Sequence, residues 1–317
     1  MRRTAAALLV PLLASVALVG CGSSSSGASA NQSVTVSGSF GKSPNVTIPK
    51  QDAGSKLAVK TEIQGSGPVL ASTNTALANL AIYVWSGKTH KLLDSTFQSA
   101  PQLVPAQVGL PGLATALKGA KMGSRILAVL PPKYGYGTSG NSQIGVSGSD
   151  TTVWVIDLIK QFAPSASASG THVSNGGGAL PTVSAASGTA PVITIPKTSP
   201  PSKLAVTTLI KGSGPKIAKG QTIVAQYVAV NWRTGKVFNS TWPAATTAGQ
   251  PFAFQLGGQV IPGWNDGLPG VTVGSRVMLV IPPAYGYGKA GNSQAGIKGT
   301  DTLVFVIDIL DAESPTA

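Results

Sequence analysis

One cysteine, two histidines and ten acidic residues are all that this 317-residue chain holds of the side chains that most often carry metal or proton chemistry. A single cysteine excludes an intrachain disulfide framework and any cysteine-based metal cage. His90 falls in a turn and His172 in a low-complexity stretch, so two histidines cannot furnish a metal centre or serve two catalytic triads. No pair of carboxylates is placed for acid/base work; Asp157 and Asp308 hold equivalent places in two apolar runs and read as structural. Charge is also scarce, at 10% of residues against about 25% in an ordinary soluble domain. The balance is basic all the same, a formal +13, which invites a nucleic-acid reading. The lysines are scattered singly, however, and no basic cluster is interleaved with aromatics. Attraction to an anionic envelope surface fits better, and nucleic acid is set aside.

What the chain has instead is glycine, proline and short apolar runs: 39 Gly, 23 Pro and 42% hydrophobic residues. That profile means β structure, turns and uncharged linkers. The stretch IPPAYGYGKAG (residues 281–291) follows an apolar run and precedes another, and LPPKYGYGTSG (residues 130–140) is nearly the same. A double proline stops a strand, because proline has no N–H for the ladder. Alternating Gly and Tyr then turns the chain while fixing two aromatic side chains, as suits a pocket wall. The same words also spell G-x-G-x-x-G. A dinucleotide site needs those glycines between a strand and a long helix, whereas NSQAGIKGTD, which follows, has no helical pattern. The cofactor reading fails, and no cofactor or metal is expected.

The chain is a tandem repeat. VTIPK (46–50) and SKLAVKTEIQGSGP (55–68) return as ITIPK (193–197) and SKLAVTTLIKGSGP (202–215). The offset between copies is constant within blocks and changes between them, as where loops absorb length differences. In the second copy LAVTTLI (204–210), IVAQYVAVNW (223–232), FAFQL (252–256), RVMLVI (276–281) and LVFVIDIL (303–310) read as strands, punctuated by Gly, Pro and Asn. In the last, Leu303, Phe305, Ile307 and Ile309 share one face, and Asp308 marks the other as partly wet. One short helix fits, over residues 263–268, between prolines. Each half is expected to be an α+β domain of roughly 110 residues, an antiparallel sheet curled over one short helix.

The N-terminus adds an address. Arg2 and Arg3 form a positive n-region, and residues 5–20 an apolar stretch too short and proline-broken for a comfortable span. It ends in Leu-Val-Gly-Cys21, followed by glycine and four serines, and resembles the lipobox of bacterial lipoproteins. That resemblance implies lipidation of Cys21 and export, with an anchor on the outer face of the cytoplasmic membrane. The expected organisation is a signal segment (1–21), a flexible Ser/Gly/Ala tether (22–45), a first domain (46–162), a linker of similar composition (163–190) and a second domain (191–317).

The second copy carries GSGP, AKGQTIVAQYV, TGKVFNST, PFAFQLGGQVIPGWNDGL, VGSRVMLVIPPAYGYG and TLVFVIDIL in order. In these words it resembles the FKBP-type peptidyl-prolyl cis–trans isomerases over about 110 residues. The resemblance implies a mostly apolar pocket formed by Tyr227, Phe238, Phe252, Val260, Ile261, Trp264, Tyr287, Ile297 and Phe305, with Trp264 as its floor. It also implies proline-containing polypeptides as partners and macrolide ligands of the FK506 type. The Ile261 N–H and the Tyr287 hydroxyl would anchor substrate carbonyls. Asn239 stands where the family usually has aspartate, and Ala229 where glycine is common.

The first copy departs at the same places. Phe238 aligns with Leu93, Val260 with Gly109 and Trp264 with Leu113; Tyr227 aligns with Ile82, or with Tyr83 if the strand slips by one. Tyr136 and Trp154 stand for Tyr287 and Phe305, and Asp94 keeps the carboxylate that the second copy lacks. The expected function is isomerisation of X-Pro bonds in exported proteins, mainly by the second domain. The alternatives are a peptide-holding chaperone without turnover, or an envelope scaffold built on the same fold.

Overall fold

Strand-forming residues in this chain come in runs of four to twelve, and the ladders they make repeat once along the sequence. The computed structural model describes residues 30–244, 249–258 and 260–314. The signal segment, Cys21 and the start of the expected tether lie outside these residues. The first half comprises β1 (Thr35–Ser37), β2 (Asn45–Thr47), β3 (Ala58–Ile63), β4 (Thr75–Ser86), β5 (Thr89–Ser95), β6 (Gln102–Pro105), α1 (Pro111–Leu117), β7 (Arg125–Leu130) and β8 (Thr151–Phe162). The second comprises β9 (Thr171–His172), β10 (Thr182–Ser184), β11 (Val192–Thr194), β12 (Ala205–Lys211), β13 (Thr222–Asn231), β14 (Val237–Ser240), β15 (Phe252–Gln255), α2 (Pro262–Gly267), β16 (Arg276–Ile281) and β17 (Leu303–Glu313).

The first sheet runs β3-β7-β8-β4-β5, with β6 also on β4; the second runs β9-β12-β16-β17-β13-β14, with β15 also on β13. All pairings are antiparallel. Register is tied by a buried ion pair in each half. Arg276 faces Asp308 across β16 and β17 with 2.6 and 2.8 Å hydrogen bonds, and Arg125 faces Asp157 across β7 and β8 with 2.7 and 2.8 Å bonds. A bidentate guanidinium–carboxylate pair resists slippage, because a shift of one residue would leave both charges buried and unpaired. The short helix packs on one face of its sheet. In the second half, Trp264, Leu268, Leu279, Phe305, Ile307 and Ile309 close the core on that side.

The other face is dry as well, which corrects two expectations. Residues 30–45 are not a flexible tether in the described part: β1 pairs with β2, and Val34 and Ile48 are buried against Trp85, Leu127, Val129 and Val153. Asn31 anchors the entry, accepting from Gly54 N (2.7 Å) and donating to the carbonyls of Gly54 and Lys56. Residues 163–190 likewise are more than a linker. Thr171 and His172 add an edge strand to β12, and β10 pairs with β11 to lay Val183 and Ile193 on Met278, Val280, Val304 and Val306. Asp308 is therefore not on a wet face; it is 1% exposed and accepts from Ala168 N (2.9 Å) besides Arg276. In both segments a short alternation of apolar residues inside a Ser/Gly-rich stretch suffices, because a sheet face is there to receive it.

The halves meet through equivalent positions. Leu77, Leu103 and Ile159 of the first share an apolar cluster with Val224, Ala253 and Leu310 of the second. The register makes these matched pairs: Leu77 lies opposite Leu103 and Lys160, as Val224 lies opposite Ala253 and Asp311. Beside the cluster, Lys160 and Asp311 form an ion pair at 2.7 Å. No helix among the described residues is long and apolar enough to cross a membrane.

Candidate functional site

The site grows from the turn into α2. Ile261 is the residue before the helix, and Pro262 occupies its first turn, where a missing N–H costs nothing. The Ile261 carbonyl accepts from Trp264 N at 3.0 Å, while among the described residues no acceptor takes the Ile261 N–H. One turn on, Trp264 points into the sheet and is 4% exposed. Tyr227, Phe254 and Phe305 surround it edge-on, with ring centroids 5.3, 5.0 and 5.4 Å away. Such T-shaped contacts match the positive edge of one ring to the negative face of another.

A cavity of about 240 Å³ opens above the indole. Its walls are Tyr227, Phe252, Val260, Ile261, Tyr287 and Phe305 around Trp264, so seven of the ten predicted residues line one space. Phe252 and Tyr287 form the rim, at 39% and 36% exposure. Phe238 stands just behind, half-buried, its ring 5.8 Å from that of Phe305. A bulge between β13 and β14 brings it there: Ala229 pairs with Asn239 and Val230 with Val237, leaving Phe238 as the extra residue. Ile297 is buried in the same apolar cluster rather than on the cavity surface. It is held by a closed loop in which Asn292 and Ile297 exchange two 2.8 Å backbone bonds. Gly291 starts this loop at φ +65°, where a Cβ would run into the Ile297 carbonyl. Asn239 is exposed and lies outside the lining.

The electrostatics are those of a neutral pocket. Among the described residues no Asp, Glu, Lys, Arg or His lines it. Burial, and secondarily the neighbouring Tyr287, pushes the Tyr227 hydroxyl above the ordinary tyrosine value, so it stays neutral. The Trp264 indole N–H finds no acceptor among the described residues. A buried unpartnered donor costs about 1–3 kcal/mol, which leucine or phenylalanine at that place would not incur. Core packing alone gives no reason to keep an indole there. Among the described residues no group of three or more His, Cys, Asp or Glu could hold a metal ion.

Two supporting residues escape a reading of the sequence. Phe254 stacks on Phe252 at 5.6 Å and backs the floor. Asn265, next to Trp264, accepts from Gly257 N at 2.7 Å and donates to the carbonyls of Gly258 and Val260 at 3.2 and 3.3 Å. It thereby holds the loop that presents Val260 and Ile261. A polar residue in a short helix, seven residues after the Gly257-Gly258 pair, was the available signal.

In the first half the equivalent residues pack into one buried cluster. Ladder register corrects the alignment of Tyr227: it lies opposite Ile307 as Leu80 lies opposite Ile156, so its counterpart is Leu80, not Ile82 or Tyr83. Ile82 instead matches Ala229, each facing the aromatic of the last strand, Trp154 or Phe305. Leu80, Leu113 and Trp154 are buried together, with Ile82 and Tyr136 packed against them. The Trp154 N–H is satisfied by Thr152 Oγ1 at 3.0 Å.

Comparison with known proteins accords with this geometry. The family model described as FKBP-type peptidyl-prolyl cis–trans isomerase matches residues 214–310. An "FK506-binding protein" of Streptomyces anulatus is 40% identical over 121 residues, spanning 38% of this chain and 94% of the relative. A "Probable FK506-binding protein" of Corynebacterium glutamicum is 38% identical over 122 residues, 38% of this chain and 98% of the relative. The crystal structure of FkpA from Escherichia coli matches 35% of this chain and 49% of its own at 37% identity, with a TM-score of 0.32. The chain belongs to the FKBP-type peptidyl-prolyl cis–trans isomerases.

Proposed function

We propose that the isomerase activity resides in the second half, at the Trp264 cavity, and acts on X-Pro bonds of exported polypeptides. The observation that carries this reading is the dry aromatic enclosure around a cavity of about 240 Å³, beside an Ile261 N–H that no acceptor among the described residues takes. Rotation about a peptide bond faces a barrier of about 18–20 kcal/mol because resonance holds the C–N bond planar. A twisted amide loses that resonance and its charge separation. An apolar pocket binds the less dipolar twisted form better than the planar one, and differential binding of this kind lowers the barrier. The proline ring would sit on the Trp264 indole, and the Ile261 N–H would hold a substrate carbonyl; the exposed Tyr287 hydroxyl is a second donor at the rim. No nucleophile or proton transfer enters the step.

The first half is read as an FKBP-like domain whose pocket has closed. Ile82 replaces Ala229, and Leu80, Gln102 and Leu113 stand for Tyr227, Phe252 and Trp264. The match of the family model to residues 214–310 supports placing the activity in the second half. Turnover of a proline-containing tetrapeptide by the full chain tests it. Ala229→Ile, which copies the first half, should lower kcat/KM by about tenfold or more, equivalent to roughly 1.4 kcal/mol of transition-state binding. Undiminished turnover in that variant would move the activity elsewhere. A macrolide of the FK506 type is the expected inhibitor, by analogy with the two relatives named as FK506-binding proteins.

The lipobox-like Leu-Val-Gly-Cys21 supports anchoring on the outer face of the cytoplasmic membrane. Membrane fractionation of the parent and of Cys21→Ser decides it. Release or non-processing of the variant is expected, whereas soluble, identically cleaved protein in both cases sinks the anchor.

A further inference from the structure

A cleft of about 440 Å³ runs between the halves, directly beside the cavity. One wall is the first half's Ser99, Ala100, Gln102 and Leu103; the other is β15 with Pro251. Phe252 lines both this cleft and the Trp264 cavity, so the two spaces adjoin across one ring, itself 39% exposed. We propose that the cleft binds the extended chain flanking the proline in the pocket, so that the eroded first half supplies one wall of the substrate site. This inference rests on the isomerase reading of the Trp264 cavity.

Three features select that occupant. Among the described residues β6 pairs only with β4, and β15 only with β13, which leaves one main-chain edge of each strand unpaired. An extended peptide adds to such an edge through its own N–H and C=O groups, largely independent of side chains. Among the described residues no charged side chain lines the cleft, while Gln102 and Gln255 are exposed amides. A neutral extended polypeptide fits that chemistry, and an anionic lipid or nucleic acid does not. Finally, the walls are held in place: the shared cluster around Leu77 and Val224 and the Lys160–Asp311 pair fix one half against the other. An isomerase that accepts unfolded chains gains from such a neighbour, since contacts remote from the reacting bond raise affinity without altering the pocket.

The test compares, on the full chain, a proline tetrapeptide with peptides carrying the same X-Pro bond extended by several uncharged residues on its N- or C-terminal side. One extended peptide should show a KM about tenfold lower than the tetrapeptide, with little change in kcat. Gln102→Trp, which fills the cleft from an exposed position, should abolish that advantage and leave tetrapeptide turnover unchanged. Ser99→Trp, which lies outside any strand, should do the same and guards against damage to β6. Equal KM for all lengths in the parent, or an advantage that survives both variants, overturns the proposal. Absence of tetrapeptide turnover would instead defeat the isomerase reading; calorimetric binding of the long and short peptides still judges the cleft, with equal affinities counting against it.

Discussion

Trp264 buries a donor that no acceptor among the described residues takes, and Leu113 stands at the matching place without that penalty. The two halves thus hold an internal comparison between an indole kept for a pocket and a side chain kept for packing. Trp264→Leu should lower kcat/KM by at least about tenfold. Its stability should fall by no more than about 2 kcal/mol, because lost apolar area is partly offset by removal of the orphan N–H. Turnover against unfolding midpoint separates the roles: a large stability loss with unchanged activity would make the indole a core residue only. Asn265 acts at one remove. Its three bonds hold Gly257, Gly258 and Val260, so it sets where the Ile261 N–H points without lining the cavity itself.

At the scale of elements, each sheet is covered on both faces, by its helix on one and by a small hairpin on the other. The hairpin is integral to the half that it covers. Val183 is 6% exposed on β10, and Val183→Asp would bury a carboxylate with no partner on the face formed by Met278 and Val304. Urea titration should then report a loss of about 2–4 kcal/mol; a change below about 0.5 kcal/mol would mean that the hairpin is dispensable. The long strands were legible because β-branched runs and punctuation mark them; residues 276–281 match β16 at both ends. The pocket was legible for a different reason, as motif words in order placed seven lining residues together. The hairpins were not, since Ser and Gly mask a four-residue alternation whose only cue is TVS standing ahead of TIPK in both copies. The alignment of Tyr227 slipped because the length difference lies in the turn after β4 and β13, where bulges at Leu93 and Phe238 disguise it.

Across the whole molecule, the contact between halves is nearly a two-fold one. Leu77 answers Val224, Leu103 answers Ala253, and Ile159 answers Leu310. In a two-fold contact between identical copies residue i meets j and j meets i, and only a position on the axis meets its own equivalent. At one such position identity would be unfavourable, and there the copies differ: Lys160 on the first half meets Asp311 on the second. Opposite charges favour pairing of unlike halves within one chain, while like halves from different chains would set lysine against lysine or aspartate against aspartate. The side chain of Lys160 is 49% exposed, so the pair contributes little to stability, no more than about 1 kcal/mol. Its larger effect is on choice of partner. Asp311→Lys should therefore loosen the two halves, seen as an expanded scattering profile or a second unfolding transition, with tetrapeptide turnover intact. Adding Lys160→Asp should restore a single compact species by reversing the pair. If the single variant stays as compact as the parent, the apolar cluster alone holds the halves and the charges at this position are incidental.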